Sequence, residues 1–198
     1  MFVQIPISEN PQRRMNQPRE MTLMMRVRQP EIVPVKILTY ASTEGFTRKP
    51  LYHFAVIGYR QGRFLLYDVI RKGRRNETQC LTEILRIADE TDWSYELLPL
   101  YSELHRTYPW DDEEPVDNPV VDERWSLIQH IYVPQLPLFY YRVDKLLGIT
   151  RRPVSLPFTH ITLYTKGANP RHGHDGIGVQ SLDGVNGYRE LCVNRWEL

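Results

Sequence analysis

The sequence predicts an α+β fold, with mostly antiparallel sheet and a few helices packed against it. Three observations lead there. Runs rich in β-branched and aromatic residues recur at 32–40, 52–59, 64–70, 125–133 and 158–165, the composition expected of half-buried strands. Two further segments instead repeat apolar residues at helical spacing, and each has a matching cap signal. Fifteen prolines are spread along the chain, favouring many short connections over long helices.

The chain has 198 residues, 41% hydrophobic and 25% charged, with a formal net charge of +1. That length suits one ordinary domain with a sizeable core. Near-neutral charge excludes a global field for nucleic acid or membranes, so any polyanion site must be a local patch. Cys80 and Cys192 are far apart and signal neither a disulfide framework nor a zinc knuckle. A reducing cytoplasm is the expected compartment, the host's if the protein is viral or from a phage. No apolar run has the length of a secretory leader core or a bilayer span, so no membrane partner is expected.

Residues 1–30 mix Pro6, Pro11, Pro18 and Pro30 with five arginines and show no periodicity, which predicts an extended Pro/Arg-rich arm. The single folded domain is expected over 31–198. Ile32, Val33, Val35, Ile37, Leu38 and Tyr40 read as its first β-rich run. Residues 52–59 and 64–70, joined by Arg60-Gln61-Gly62-Arg63, read as a β-hairpin. Asn76 with Gln79 makes a capping box, and Cys80, Leu81, Ile84, Leu85 and Ala88 follow on one helical face, predicting an amphipathic helix that buries against the hairpin. Residues 93–108 favour strand only weakly, because Pro99 interrupts either period. Trp110-Asp111-Asp112-Glu113-Glu114-Pro115 opens an acidic loop to about Glu123, and 125–133 resumes as strand. Pro137 stands where a helix would start, Phe139, Val143, Leu146 and Leu147 repeat helically, and Gly148 occupies the position after its end. Residues 167–176 form a glycine-rich loop containing His172-Gly173-His174-Asp175, expected to be a loop rather than a metal site. Residues 177–179 and 188–198 read as the last strands.

The chemically pointed stretch is Phe158-Thr159-His160-Ile161-Thr162-Leu163-Tyr164-Thr165. Strand alternation would send His160, Thr162 and Tyr164 to one face and Ile161 and Leu163 to the core. An imidazole beside a hydroxyl on a rigid strand can move a proton and hold a phosphate oxygen. The same His-x-Thr spacing occurs at His105-Arg106-Thr107. His53, in the strand Tyr52-His53-Phe54-Ala55, is the other candidate partner, with Ala55 in place of the hydroxyl residue.

The paired His-x-Thr motifs, the second in the strand His-Ile-Thr-Leu-Tyr, resemble those of the 2H phosphoesterase superfamily over about residues 50–198. Arg106 in the middle of the first motif departs from the apolar residue expected there. The resemblance implies a concave sheet built from two pseudo-symmetric β-α lobes. It also implies a metal-independent phosphodiesterase, without cofactor, acting on RNA ends or on 2′,5′-linked or cyclic nucleotides. His160, Thr162, His105 and Thr107 would be catalytic. One imidazole would take a proton while the other gives one, and both threonines would hold the phosphate. Tyr164 would touch phosphate or sugar, and Trp196 with Glu190 would hold the base. Two readings from other classes stay open: a non-catalytic nucleotide- or RNA-binding protein, and a viral or phage interaction module.

Overall fold

The computed structural model describes residues 2–3, 22–27, 33–58, 61–62, 64–65, 77–109, 121–150, 156–167, 177, 185 and 187–191. Its elements in chain order are β1 (Phe2–Val3), β2 (Leu23–Val27), α1 (Val35–Thr43), β3 (Thr47–Arg48), β4 (Tyr52–Ile57), α2 (Glu77–Asp89), β5 (Glu96–Pro109), β6 (Val121–Tyr132), α3 (Leu136–Leu147), β7 (His160–Gly167) and β8 (Gly187–Leu191). One sheet has the order β1-β2-β4 and the other β3-β7-β6-β5-β8. The pairs β1/β2, β3/β7, β6/β7 and β5/β8 are antiparallel. The class is therefore α+β, as expected.

The chain divides into two compact units, each made of three separated segments: 1–25, 55–96 and 132–159 in one, 26–54, 97–131 and 160–198 in the other. In the first unit α2 packs against α3. The apolar spacing read in the sequence explains the faces used: Cys80, Ile84 and Ala88 of α2 and Phe139 and Val143 of α3 are buried. Trp93 meets Phe139 edge-on, with ring centroids 5.2 Å apart. The buried Tyr140 hydroxyl donates to the Val56 carbonyl at 2.8 Å, so the ring is buried without stranding its polar end. At the rim Arg142 bridges to Glu90 at 2.5 Å. The end of α3 follows its sequence signal. Gly148 adopts φ +67°, and its amide bonds back to the last turn.

Two sequence expectations are corrected. The run at 32–40 is not a strand: α1 begins at Val35, after Pro34, and buries Ile37 and Ala41. Their four-residue spacing is a helical stripe, and packing outweighs the weak strand preference of Val and Ile. The described residues of 52–70 do not form the expected hairpin either. Its first strand is β4, but Gln61, Gly62, Phe64 and Leu65 have helical backbone. The Gly62 amide bonds the Gly58 carbonyl at 2.9 Å, a helical turn in place of a hairpin turn, and α2 buries against α3 instead. Within 1–30, β1 and β2 are strands, and Leu23 and Val27 are buried, so part of the arm joins a sheet. The rest of the arm, the Asn76 cap, residues 110–120, the loop at 168–176 and the strand at 178–179 lie outside the described residues.

In the second unit β6 is central, and every residue from Ser126 to Ile131 is buried. Its register against β7 runs Gln129/Ile161 and His130/His160, then slips: Ile128 faces Thr162, but Leu127 faces Tyr164. Leu163 is the extra residue of a β-bulge.

Two substitutions test the α2/α3 packing. Phe139→Ala should cost about 3–5 kcal/mol, the usual range for emptying a core aromatic site. Gly148→Ala meets no atom within 4 Å, so only its backbone strain remains, about 1 kcal/mol. Urea unfolding midpoints should rank the two variants in that order.

Candidate functional site: a polar row across four strands

Directly paired residues on neighbouring strands share a face, with Cβ atoms about 4.5–5.5 Å apart. His160 of β7 and His130 of β6 are such a pair. The Ser102 hydroxyl of β5 lies 2.7 Å from His130 Nε2, and it donates to the Tyr188 hydroxyl of β8 at 3.3 Å. Thr162 follows His160 on the same face, opposite Ile128. Glu190 is the register partner of Ser102. One face of the sheet thus carries a row of imidazoles and hydroxyls over β7, β6, β5 and β8.

The row runs from half-open ends to a closed middle. His160 and Thr162 are half-buried. His130 is 7% exposed and Ser102 0%, while Tyr188 at the sheet edge is 41% exposed. Burial holds the His130 pKa below the ordinary histidine value, and the Glu190 carboxylate pulls it part of the way back. Burial thereby favours the neutral imidazole, the state in which it can accept a proton.

The first His-x-Thr motif is elsewhere. Ser102 and His105 are three residues apart on β5, and β5 pairs with β8 without interruption from Tyr101 to His105. Opposite parity puts His105, and Thr107 with it, on the other face of the sheet. There His105 stacks on Trp125 at 4.6 Å and 13°, and its Nε2 lies 3.7 Å from Glu123. Lys166 reaches the other end of this cluster, 5.5 Å from the Trp125 ring centroid. Arg189, the register partner of Glu103, bonds that carboxylate at 2.7 Å, and Tyr40 of α1 donates to it as well. So His105 serves an aromatic and ionic cluster, and the structure does not bring it to His160.

His53 stands on β4, in the other sheet, where burial lowers its pKa with Lys49 adding to the effect. Tyr164, expected beside Thr162, is turned away by the bulge. It pairs with Leu127 and Arg48, and burial raises the pKa of its phenol. Arg48 in turn donates to the Tyr52 hydroxyl at 2.9 Å. Of the expected site residues, His160, Thr162 and Glu190 share the face with His130. His105, Thr107 and Tyr164 do not, and Trp196 lies outside the described residues.

Sequence reasoning missed His130, Ser102 and Tyr188. A signal existed for the first, since His130-Ile131-Tyr132 repeats the alternation of His160-Ile161-Thr162 on a clear strand, but with Tyr in place of Thr or Ser two residues on. Among the described residues no group of three His, Cys, Asp or Glu side chains is placed to hold a metal ion. No helix among them is long and apolar enough to cross a membrane. No family model matches the chain, and neither a curated protein nor a solved structure matches it.

The depressed His130 pKa has a stability consequence with a definite sign. Folding favours the neutral ring, so the contribution is complete above the unfolded value of about 6.5. It is lost as pH falls from there through the lower folded value. The His130 ring signals in NMR should titrate below those of a histidine in an unfolded peptide. Urea midpoints should also drop below pH 6.5 by more in the wild type than in His130→Gln.

Proposed function

We propose that this chain is a metal-independent phosphodiesterase using His130 and His160 as its acid-base pair. Its substrates would be RNA ends or 2′,5′-linked or cyclic nucleotides. The observation carrying this reading is the register of His130 against His160, with the Thr162 hydroxyl on the same face. A tetrahedral phosphate laid over the row is small enough to meet both rings and the hydroxyl together. The neutral His130 takes the proton of the attacking hydroxyl or water. His160 gives a proton to the leaving oxygen, and Thr162 donates to a non-bridging oxygen. The reading keeps half of the sequence expectation and replaces its other half, His130 standing where His105 was expected. The free, buried thiol of Cys80 suits a reducing cytoplasm.

A specific observation favours a second reading, a nucleotide-binding protein without turnover. His130 is 7% exposed and bonded to the fully buried Ser102, and a ring at that depth can anchor a phosphate without exchanging protons.

The deciding experiment is an assay with EDTA on cyclic nucleotides, 2′,5′-linked oligonucleotides and RNA with cyclic-phosphate ends. Cleavage should survive chelation and fall on the order of 10²- to 10⁴-fold in His130→Ala and in His160→Ala, the usual contribution of a positioned acid or base. His105→Ala should retain full activity. The rate should be bell-shaped in pH, with apparent pKa values that belong to the pair. Unimpaired turnover in His160→Ala sinks the enzyme reading. Binding by calorimetry without turnover of any substrate establishes the second reading instead.

A further inference from the structure

We infer that Glu190 is a positioning residue whose carboxylate is the counter-charge for His130 once that ring has taken the substrate's proton. The inference rests on His130 acting as the base, and it gives Glu190 a different task from the grip on a nucleobase expected of it.

Register places the charge. β5 and β8 pair without interruption from Tyr101 to His105, with Glu190 opposite Ser102. Such partners project to the same face with Cβ atoms about 4.5–5.5 Å apart. The Ser102 hydroxyl lies 2.7 Å from His130 Nε2 on the next strand, so the carboxylate stands one residue beyond the side chain that touches the ring. Among the described residues brought to His130 on this face, Ser102 and Tyr188 offer neutral hydroxyls. His160, the partner of His130 on β7, is the imidazolium of the proposed reaction.

Charging a ring that is 7% exposed is costly unless an opposite charge is near, and a protonated His160 beside it adds repulsion. Glu190 opposes both effects. Its pull is present in the resting protein, where burial lowers the His130 pKa and the carboxylate raises it. In the reaction the O–H bond of the attacking water or hydroxyl breaks and an N–H bond forms on His130. The attacking oxygen bonds to phosphorus, and the leaving oxygen departs with the proton of His160. His130 thus passes from neutral to positive while His160 passes from positive to neutral, and exchange with water restores both. The fixed charge of Glu190 acts on the charged ring far more than on the neutral one, so it stabilises the transition state more than the bound substrate. Because Glu190 is exposed, water screens the attraction to a modest size.

Glu190→Gln keeps the shape of an exposed edge residue and removes its charge. NMR titration of the His130 ring without substrate should then give a lower pKa than in the wild type, and Glu190→Asp should restore most of the difference. In the cleavage assay Glu190→Gln should lower kcat roughly 3- to 10-fold with KM unchanged, the scale of one screened charge a few ångströms away. The acidic limb of the rate profile should move to lower pH, since a weaker base stays neutral further down. A raised KM with that limb in place is the mark of a residue that holds the nucleobase, and it overturns the inference. So does a His130 titration that is the same in Glu190→Gln and the wild type. A titration that moves as described in a protein with no turnover upholds the charge pairing and defeats the phosphodiesterase reading alone.

Discussion

The antiparallel pairing of β6 with β7 is the constraint from which the two faces of the larger sheet follow. Side chains on a strand alternate strictly, so one register decides every neighbour at once. With Gln129 opposite Ile161 and His130 opposite His160, the two imidazoles must share a face and Ile161 must go to the other. The bulge at Leu163 then resets the parity. Thr162 keeps company with the histidines, while Tyr164 joins Arg48 and Tyr52 on the far side. A regular β7 would have kept Tyr164 beside Thr162 and moved Thr165 away from Ser126. The bulge therefore separates the histidine face from a tyrosine and arginine cluster within one short strand.

The same central position that aligns these groups also sets their electrostatics. A buried polar group is costly unless it finds a partner. His130 meets this requirement through Ser102, and Ser102 through Tyr188. Polar chemistry can thus pass through the middle of a sheet whose other buried side chains are mostly apolar. On the opposite face the solution differs. His105 stacks flat on Trp125, with Glu123 and Lys166 around the pair, and Arg189, Tyr40 and Glu103 bond together beside it. That face spends its histidine on packing.

Local signals were readable wherever neighbours in sequence are also neighbours in space. α2 shows its apolar stripe in Cys80, Ile84 and Ala88, and α3 is bracketed by Pro137 and Gly148, because stripes and caps are local properties of a helix. β4 and β7 were legible from alternation. Val35 to Tyr40 misled because β-branched residues suit a strand when nothing else is known, and only burial of Ile37 and Ala41 selects the helix. Phe64 and Leu65 misled in the same way, their turn being made by the Gly58 carbonyl and Gly62 amide.

By itself the sequence determined the α+β class, the helices α2 and α3 and the strand that carries His160 and Thr162. These depend on periods of two and 3.6 residues and on caps, which are written into short stretches of chain. The partner of His160 was decided only by the tertiary structure. Register between β6 and β7 is a long-range property, and the bulge that turns Tyr164 away exists only once both strands have paired. A matching His-x-Thr motif pointed to His105, but parity along β5 sends that ring to the opposite face. His130, without the motif, stands beside His160 because the two strands meet there.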